Sequence, residues 1–154
     1  MDVLIRKATL ADREEVLTIL KNAAQWIQKQ GINQWAYLLS GKEDDAIETD
    51  IRTGITYMVE LDKEAVATFS LSSEQNEWDR RLWGKLEDHA FYLHRLAVHR
   101  DHGGKQIGEK VLNCISKQAV KIGAVIRLDC VSDNPRLNDF YQKNGFTFLH
   151  YRKV

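Results

Sequence analysis

Gly103, Gly104 and Gly108 stand between an apolar segment, residues 90–98, and a stripe of Ile107, Val111, Ile115 and Ala119 at helical spacing. A glycine turn at a helix N-terminus offers backbone N–H groups and the positive end of the helix dipole, which suits a pyrophosphate. Farther along, residues 134–146 read NPRLNDFYQKNGF. Asn134 before Pro135 marks a helix start, and Leu137 and Tyr141, four apart, share one face of that helix. A phenol can donate a hydrogen bond while neutral, and its reference pKa of about 10 lies above that of a thiol. A phosphate-bearing carrier beside a proton donor implies group transfer.

These two segments resemble the core of the GNAT superfamily of N-acetyltransferases, which move an acetyl group from acetyl-CoA to an amine. The family's strand and turn read roughly L-x-V-x-P-x-x-R/Q-x-x-G-x-G/A. Here Leu96, Ala97 and Val98 precede His99 to His102, then Gly103, Gly104, Lys105, Gln106, Ile107 and Gly108. The later pattern is met by Asn134, Phe140, Tyr141, Gly145 and Phe146. Three positions depart: the usual proline is Arg100, the Arg or Gln is Gly103, and the middle glycine is Gln106. The resemblance implies acetyl-CoA as co-substrate. Its pyrophosphate would lie on the amides of residues 103–108, and its pantetheine arm would pair with the backbone of Leu96, Ala97 and Val98. Tyr141 would protonate the departing thiolate. Lys105 either adds charge near phosphate or is a solvated lysine. Asn134 either bonds the carrier, as the resemblance implies, or is simply the cap before Pro135.

The acceptor end is less sharply written. Direct attack on a thioester needs a neutral amine, so a base should lie near the central strand, where Glu87, Asp88, His89 and His94 are the candidates. Trp26, Trp35, Trp78 and Trp83 fall in the two regions that wall the acceptor pocket in the family. With Glu74, Glu77 and Asp79 nearby, they would suit a cationic amine. The spacing of His94, His99 and His102 matches no usual zinc pattern, and no metal is expected. The leading expectation is an acetyltransferase using direct attack in a ternary complex. The alternative is a CoA-binding or regulatory module of the same fold without turnover.

The elements that must position these residues follow from pattern. At 154 residues the chain suits a single domain with a real core. Residues 3–8 read as a strand, and Thr9 as the cap of a helix to about Gln30, stopped by Gly31. A short helix is expected over 44–52 and an antiparallel pair over 55–61 and 64–72. Residues 73–88 are expected to form a polar loop, and 90–98 the central strand. The glycine-led helix ends at Gly123, followed by a buried strand over 124–131, a helix over 136–144 and a strand over 147–152. The resemblance implies an α+β fold in three layers, α/β/α, around a mixed, mostly antiparallel sheet with a splayed pair of strands that admits the CoA arm.

The family usually has a further strand after the one that follows the G-F pair, completing a C-terminal hairpin. The expected outcomes here are a homodimer in which two C-terminal edges meet, or a short strand capped by Arg152 and Lys153. Lys and Arg together balance Asp and Glu at 22 each, which gives no electrostatic case for a nucleic-acid or membrane partner. With no signal-like or membrane-spanning run and two cysteines, Cys114 and Cys130, expected to be reduced core residues, a cytoplasmic location is anticipated.

Overall fold

A computed structural model describes residues 2–32, 34–130, 134–149 and 151–152. Strand β1, Leu4–Lys7, leads through a 3-10 turn over Leu10–Asp12 into helix α1, Arg13–Lys29. Thr9 caps that turn, its backbone N–H donating to Asp12 Oδ2 at 2.8 Å. Val16, Leu17, Leu20, Ala23 and Ala24 recur on one face of α1 and are all buried. Helices α2, Ala36–Leu39, and α3, Asp44–Arg52, follow. The hairpin of β2, Thr56–Leu61, and β3, Glu64–Ser72, turns on Asp62 and Lys63, both left-handed. Then come α4, Glu77–Trp83, β4, Ala90–Val98, α5, Ile107–Lys121, β5, Val125–Arg127, and α6, Pro135–Lys143.

The strands lie in sequence order in one five-stranded sheet. All neighbours are antiparallel except β4 and β5, which run parallel. Alternation along β2 divides the core. Met58 joins α1, α2 and α3 on one face, while Val59 and Leu61 join Val111, Leu112 and Ile115 of α5 on the other. The result is the expected three layers.

Two irregularities shape the middle of the sheet. Between Thr68 and Ser70 the register of β3 advances two residues while β4 advances three, from Ala97 to His94. The extra residue is a bulge, and Arg95 sits there at φ 53°. Farther along, β4 and β5 pair only at Ala90–Val125, Phe91–Ile126 and Tyr92–Arg127. Beyond Tyr92, β4 runs on to Val98 without β5, so the two strands part.

The structure corrects several expectations. The supposed loop over 73–88 contains α4, set up by a reciprocal cap. Asp79 N–H donates to Asn76 Oδ1 at 2.8 Å, and Asn76 N–H donates to Asp79 Oδ2 at 3.0 Å. The strand expected over 124–131 is only Val125–Arg127, with Val131 outside the described residues. The strand expected over 147–152 is not formed at 147–149, 151 or 152, and His150 lies outside the described residues. Strand propensity in Phe146, Phe148 and Tyr151 depends on a neighbour to pair with. Instead Phe146 packs edge-on to Tyr141 at 5.8 Å, and Phe148 turns to Tyr151 at 5.0 Å. The imagined dimer of C-terminal strands therefore has no strand to begin from among the described residues. Cys114 and Cys130 are unpaired, and both are half-buried rather than core. No helix among the described residues is long and apolar enough to cross a membrane.

Candidate active site

Where β4 and β5 part, a cavity of about 1550 Å³ opens between the sheet, α1, α5 and α6. Leu96, Ala97 and Val98 form part of its wall, as do Gly103, Gly104, Gln106, Ile107 and Gly108 at the start of α5. Lys105 does not line it; its Nζ lies 3.1 Å from His102 Nδ1 instead.

The turn shows what each departure does. A Cβ placed on Gly104, at φ 79°, would meet nothing within 4 Å, so the cradle there is open. Gln106 is the N-cap of α5 at φ 59° and ψ 29°, left-handed, with no bond from its side chain to the helix. That conformation suits glycine and explains the family's usual residue. The Gln106 side chain is exposed, so its amide stays with the turn. Gly108 serves a different end, because a Cβ there would approach Phe140 Cζ to 3.2 Å. It lets α5 and α6 close on each other. Arg100, at the proline position, lays its guanidinium 3.8 Å from the Trp26 ring centroid and takes no carboxylate partner among the described residues. Sequence reasoning noted Arg100 only as a departure, yet it brings an unneutralised cation to the cavity wall beside the turn.

Tyr141 lies on α6 in the same wall, tilted against Phe140 at 5.6 Å. Burial, then the nearby Cys130 and Asp129, hold its hydroxyl proton well above the ordinary phenol range. Cys130 is a neutral thiol, pushed up by burial and by Asp129. Asn134 is a cap: its Oδ1 accepts from Leu137 N–H at 3.2 Å, and its Nδ2 donates to Gln34 Oε1 at 3.1 Å. Only 7% of Asn134 is exposed, though it touches the cavity.

Trp26, Trp35, Trp78 and His94 also line the cavity, Trp26 beside Arg100. Trp83 is not there; it faces Arg127, 5.5 Å from its ring. Of the candidate bases, Asp88 is held by Arg127 at 2.6 and 2.8 Å. Glu87 and His89 do not line the cavity, leaving His94. Its Nε2 stands 2.9 Å from Oδ1 of Asp79, a carboxylate at 1% exposure. Trp78 Nε1 donates to Asp129 Oδ2 at 3.0 Å. Protein surrounds Asp129 closely enough for burial to push its carboxyl above the usual range, though it is accessible from the cavity. The Trp78 bond and His94 pull it back. Asp79, His94 and Asp129 each bring an atom within 4.8 Å of the others. Arg95, turned by the bulge, is engaged by Asp50 at 2.7 Å and Glu43 at 3.7 Å. Asp129 was legible only once β5 was known to stop at Arg127; Asp79 was read only as an acid near the tryptophans, and the N-x-x-D signature of its cap is the signal for its buried place.

The comparisons agree with this architecture. Residues 20–146 match the model of the acetyltransferase (GNAT) family. The chain is 36% identical over 149 residues to the uncharacterized N-acetyltransferase YesJ of Bacillus subtilis, covering 92% of this chain and 80% of that protein. A GNAT-family acetyltransferase from Listeria monocytogenes superposes with TM-score 0.82 at 29% identity, covering 97% of this chain and 89% of that one. The PaiA N-acetyltransferase of Thermoplasma acidophilum, solved in complex with coenzyme A, shares the fold at TM-score 0.72 and 22% identity, over 96% of this chain and 91% of that one. The chain belongs to the GNAT family of N-acetyltransferases and is an acyltransferase.

Proposed function

We propose that this chain transfers the acetyl group of acetyl-CoA to a primary amine held in the same complex. One observation carries the reading: a single cavity runs from the amides at the start of α5, past residues 96–98 of β4, to Tyr141 and the acidic and aromatic end. The α5 turn supplies N–H groups and the helix dipole for the pyrophosphate, and Gly104 leaves room for it. Arg100 adds charge, its guanidinium laid on the Trp26 ring. The backbone of Leu96, Ala97 and Val98, free of β5 along this stretch, offers a strand edge to the pantetheine arm. Burial keeps Tyr141 protonated across the working pH range, so it can give its proton to the thiolate as the C–S bond breaks. Trp35 and Trp78 wall the acceptor end, and Glu74 and Asp129, together with Glu43 and Asp50 around the single Arg95, leave an excess of negative charge that favours a cationic amine. Two unpaired cysteines fit a reducing compartment.

Thiol release with acetyl-CoA and a panel of primary amines tests the reading, run beside a thermal shift with CoA. At a hundred times its dissociation constant, CoA should add about 2.7 kcal/mol of stability. Stabilisation without release on any amine would favour a CoA-binding module over an enzyme. No shift at millimolar CoA would refute both.

A further inference from the structure

We infer that His94, steered by Asp79, is the group that takes the proton from the acceptor ammonium. The inference rests on the acetyl-transfer reading and names the base which that reading leaves open. The positional argument begins with the bulge. It sits at the residues just after His94, which pairs opposite Ser70 at the cavity wall, with 23% of its side chain open. Asp79 Oδ2 is committed to the cap of α4, receiving the Asn76 N–H. Its Oδ1 is left without a hydrogen bond of good geometry, and so is His94 Nε2, although the two atoms are only 2.9 Å apart. A buried carboxylate oxygen and a buried ring nitrogen at that distance repel unless a proton lies between them. Placing it on Nε2, with a small ring rotation to align it, settles both atoms. That choice leaves the lone pair on Nδ1, which receives no hydrogen bond among the described residues.

The charges around His94 favour the same assignment. Asp79 faces it from α4 and Asp129 from the segment after β5. Its β4 neighbour Arg95 is occupied by Asp50 of α3 and by Glu43, the N-cap of that helix, and Tyr37 of α2 lies close to Arg95 and Asp129. Two carboxylates beside one imidazole attract the incoming ammonium. The charge of Asp129 also acts on the Tyr141 hydroxyl, so one carboxylate influences both proton stations.

The chemistry balances. His94 Nδ1 takes one proton from R–NH3⁺, and the neutral nitrogen forms its bond to the acetyl carbon. As the C–S bond breaks, the thiolate takes the Tyr141 proton, and the second nitrogen proton restores the phenol. The products are the amide, CoA thiol and one proton, which His94 passes to water.

The test uses the full chain, acetyl-CoA, and 1,5-diaminopentane and phenethylamine as acceptors. His94→Ala should lower kcat/KM at neutral pH by about 10²- to 10⁴-fold, the usual range for a lost general base. The deficit should shrink by about tenfold per pH unit toward the amine's own pKa near ~10, because the amine then deprotonates unaided. Added imidazole should restore part of the rate. Asp79→Asn keeps an acceptor for the α4 cap and should give a smaller loss with the same pH signature. A deficit in His94→Ala that is constant with pH and not rescued by imidazole overturns the assignment. Independently of any turnover, ¹⁵N spectra of the imidazoles in the free chain should show His94 protonated at Nε2 when neutral, with that preference weakened by Asp79→Asn. A neutral form protonated at Nδ1 also overturns it, whereas failure of both acceptors with the Nε2 form intact counts against the transfer reading alone.

Discussion

Replacing Gln106 by glycine should stabilise the protein. Gln106 holds φ 59° and ψ 29°, a conformation that costs an L-residue about 1–2 kcal/mol. Glycine adopts it freely but loses more chain entropy on folding, about 0.5–1 kcal/mol. The Gln106 side chain caps nothing and is exposed, so no contact is lost to offset the relief. The two ranges leave a net gain of about 0–1.5 kcal/mol, about 0.75 kcal/mol at their midpoints. At about 2.1 cal/mol/K per residue, a chain of 154 residues unfolds with an entropy of about 0.3 kcal/mol/K, so Tm should rise by about 2–3 °C. Urea titration should give the same sign with an unchanged m-value. Gln106→Asn should fall between the two, since asparagine tolerates the left-handed region better than glutamine. A loss of 0.5 kcal/mol or more in Gln106→Gly, on the order of the entropy term alone, would show that the backbone at this cap is not strained and would remove the explanation offered for the family's usual glycine.

Tyr141→Phe should lower kcat by about ten- to a thousandfold with little change in CoA affinity, because the ring and its packing on Phe140 and Phe146 remain. Unchanged kcat with chemistry rate-limiting would return Tyr141 to a packing role. Gly108→Val should destabilise by about 1–3 kcal/mol through overpacking against Phe140, and adding Phe140→Leu should recover part of the loss; strictly additive effects would contradict the 3.2 Å approach. Arg6 grips Asp12 with two bonds of 2.7 and 2.8 Å, which holds the Asp12 carboxyl down to about 2. A depressed carboxyl contributes its stability above the unfolded pKa of 3.8 and loses it as pH falls through the folded value. Chemical denaturation of wild type against Asp12→Asn should therefore differ by about 1 kcal/mol at pH 6, discounted for solvent, and converge between about pH 4 and pH 2. A difference that persists at pH 2 would mean that the variant acts by some route other than the lost charge.

Much of the frame was legible because local pattern and tertiary demand coincide there. The stripe Ile107, Val111, Ile115 and Ala119 is buried as its spacing requires. The hairpin at Asp62 and Lys63 and the short helix at Asp44–Arg52 fall where turn and charge signals put them. The errors lie where a segment depends on a neighbour. Residues 147–149, 151 and 152 include strand formers but have no partner strand among the described residues, and 128–130 leave the sheet where the cavity opens. Trp83 and Trp78 look alike in sequence. They stand five positions apart on α4, about 140° around its axis, which sends one ring to Arg127 and the other to Asp129. The pairing of Asp79 with His94 depends on a cap, a bulge and the cross-sheet register together, and no single stretch of sequence contains all three.

The three paired positions that join β5 to β4 also bear on the energetics of opening. Residues 128–130 and α6 are fastened to the rest through that short ladder, the packing of Phe140, Tyr141 and Phe146 on the α5 side of the sheet, and side-chain bonds such as Trp78 to Asp129 and Asn134 to Gln34. Such an attachment gives this flank a lower free energy of local unfolding than the β2–β3–β4 body, so its amides should exchange with solvent first. A carrier lying against residues 96–98 would act as a length of missing ladder. Part of its intrinsic binding energy would then be spent on quieting the flank that holds Tyr141, so measured affinity would understate the contacts made. Protection of α6 amides would rise along with occupancy, although the carrier need not touch most of them.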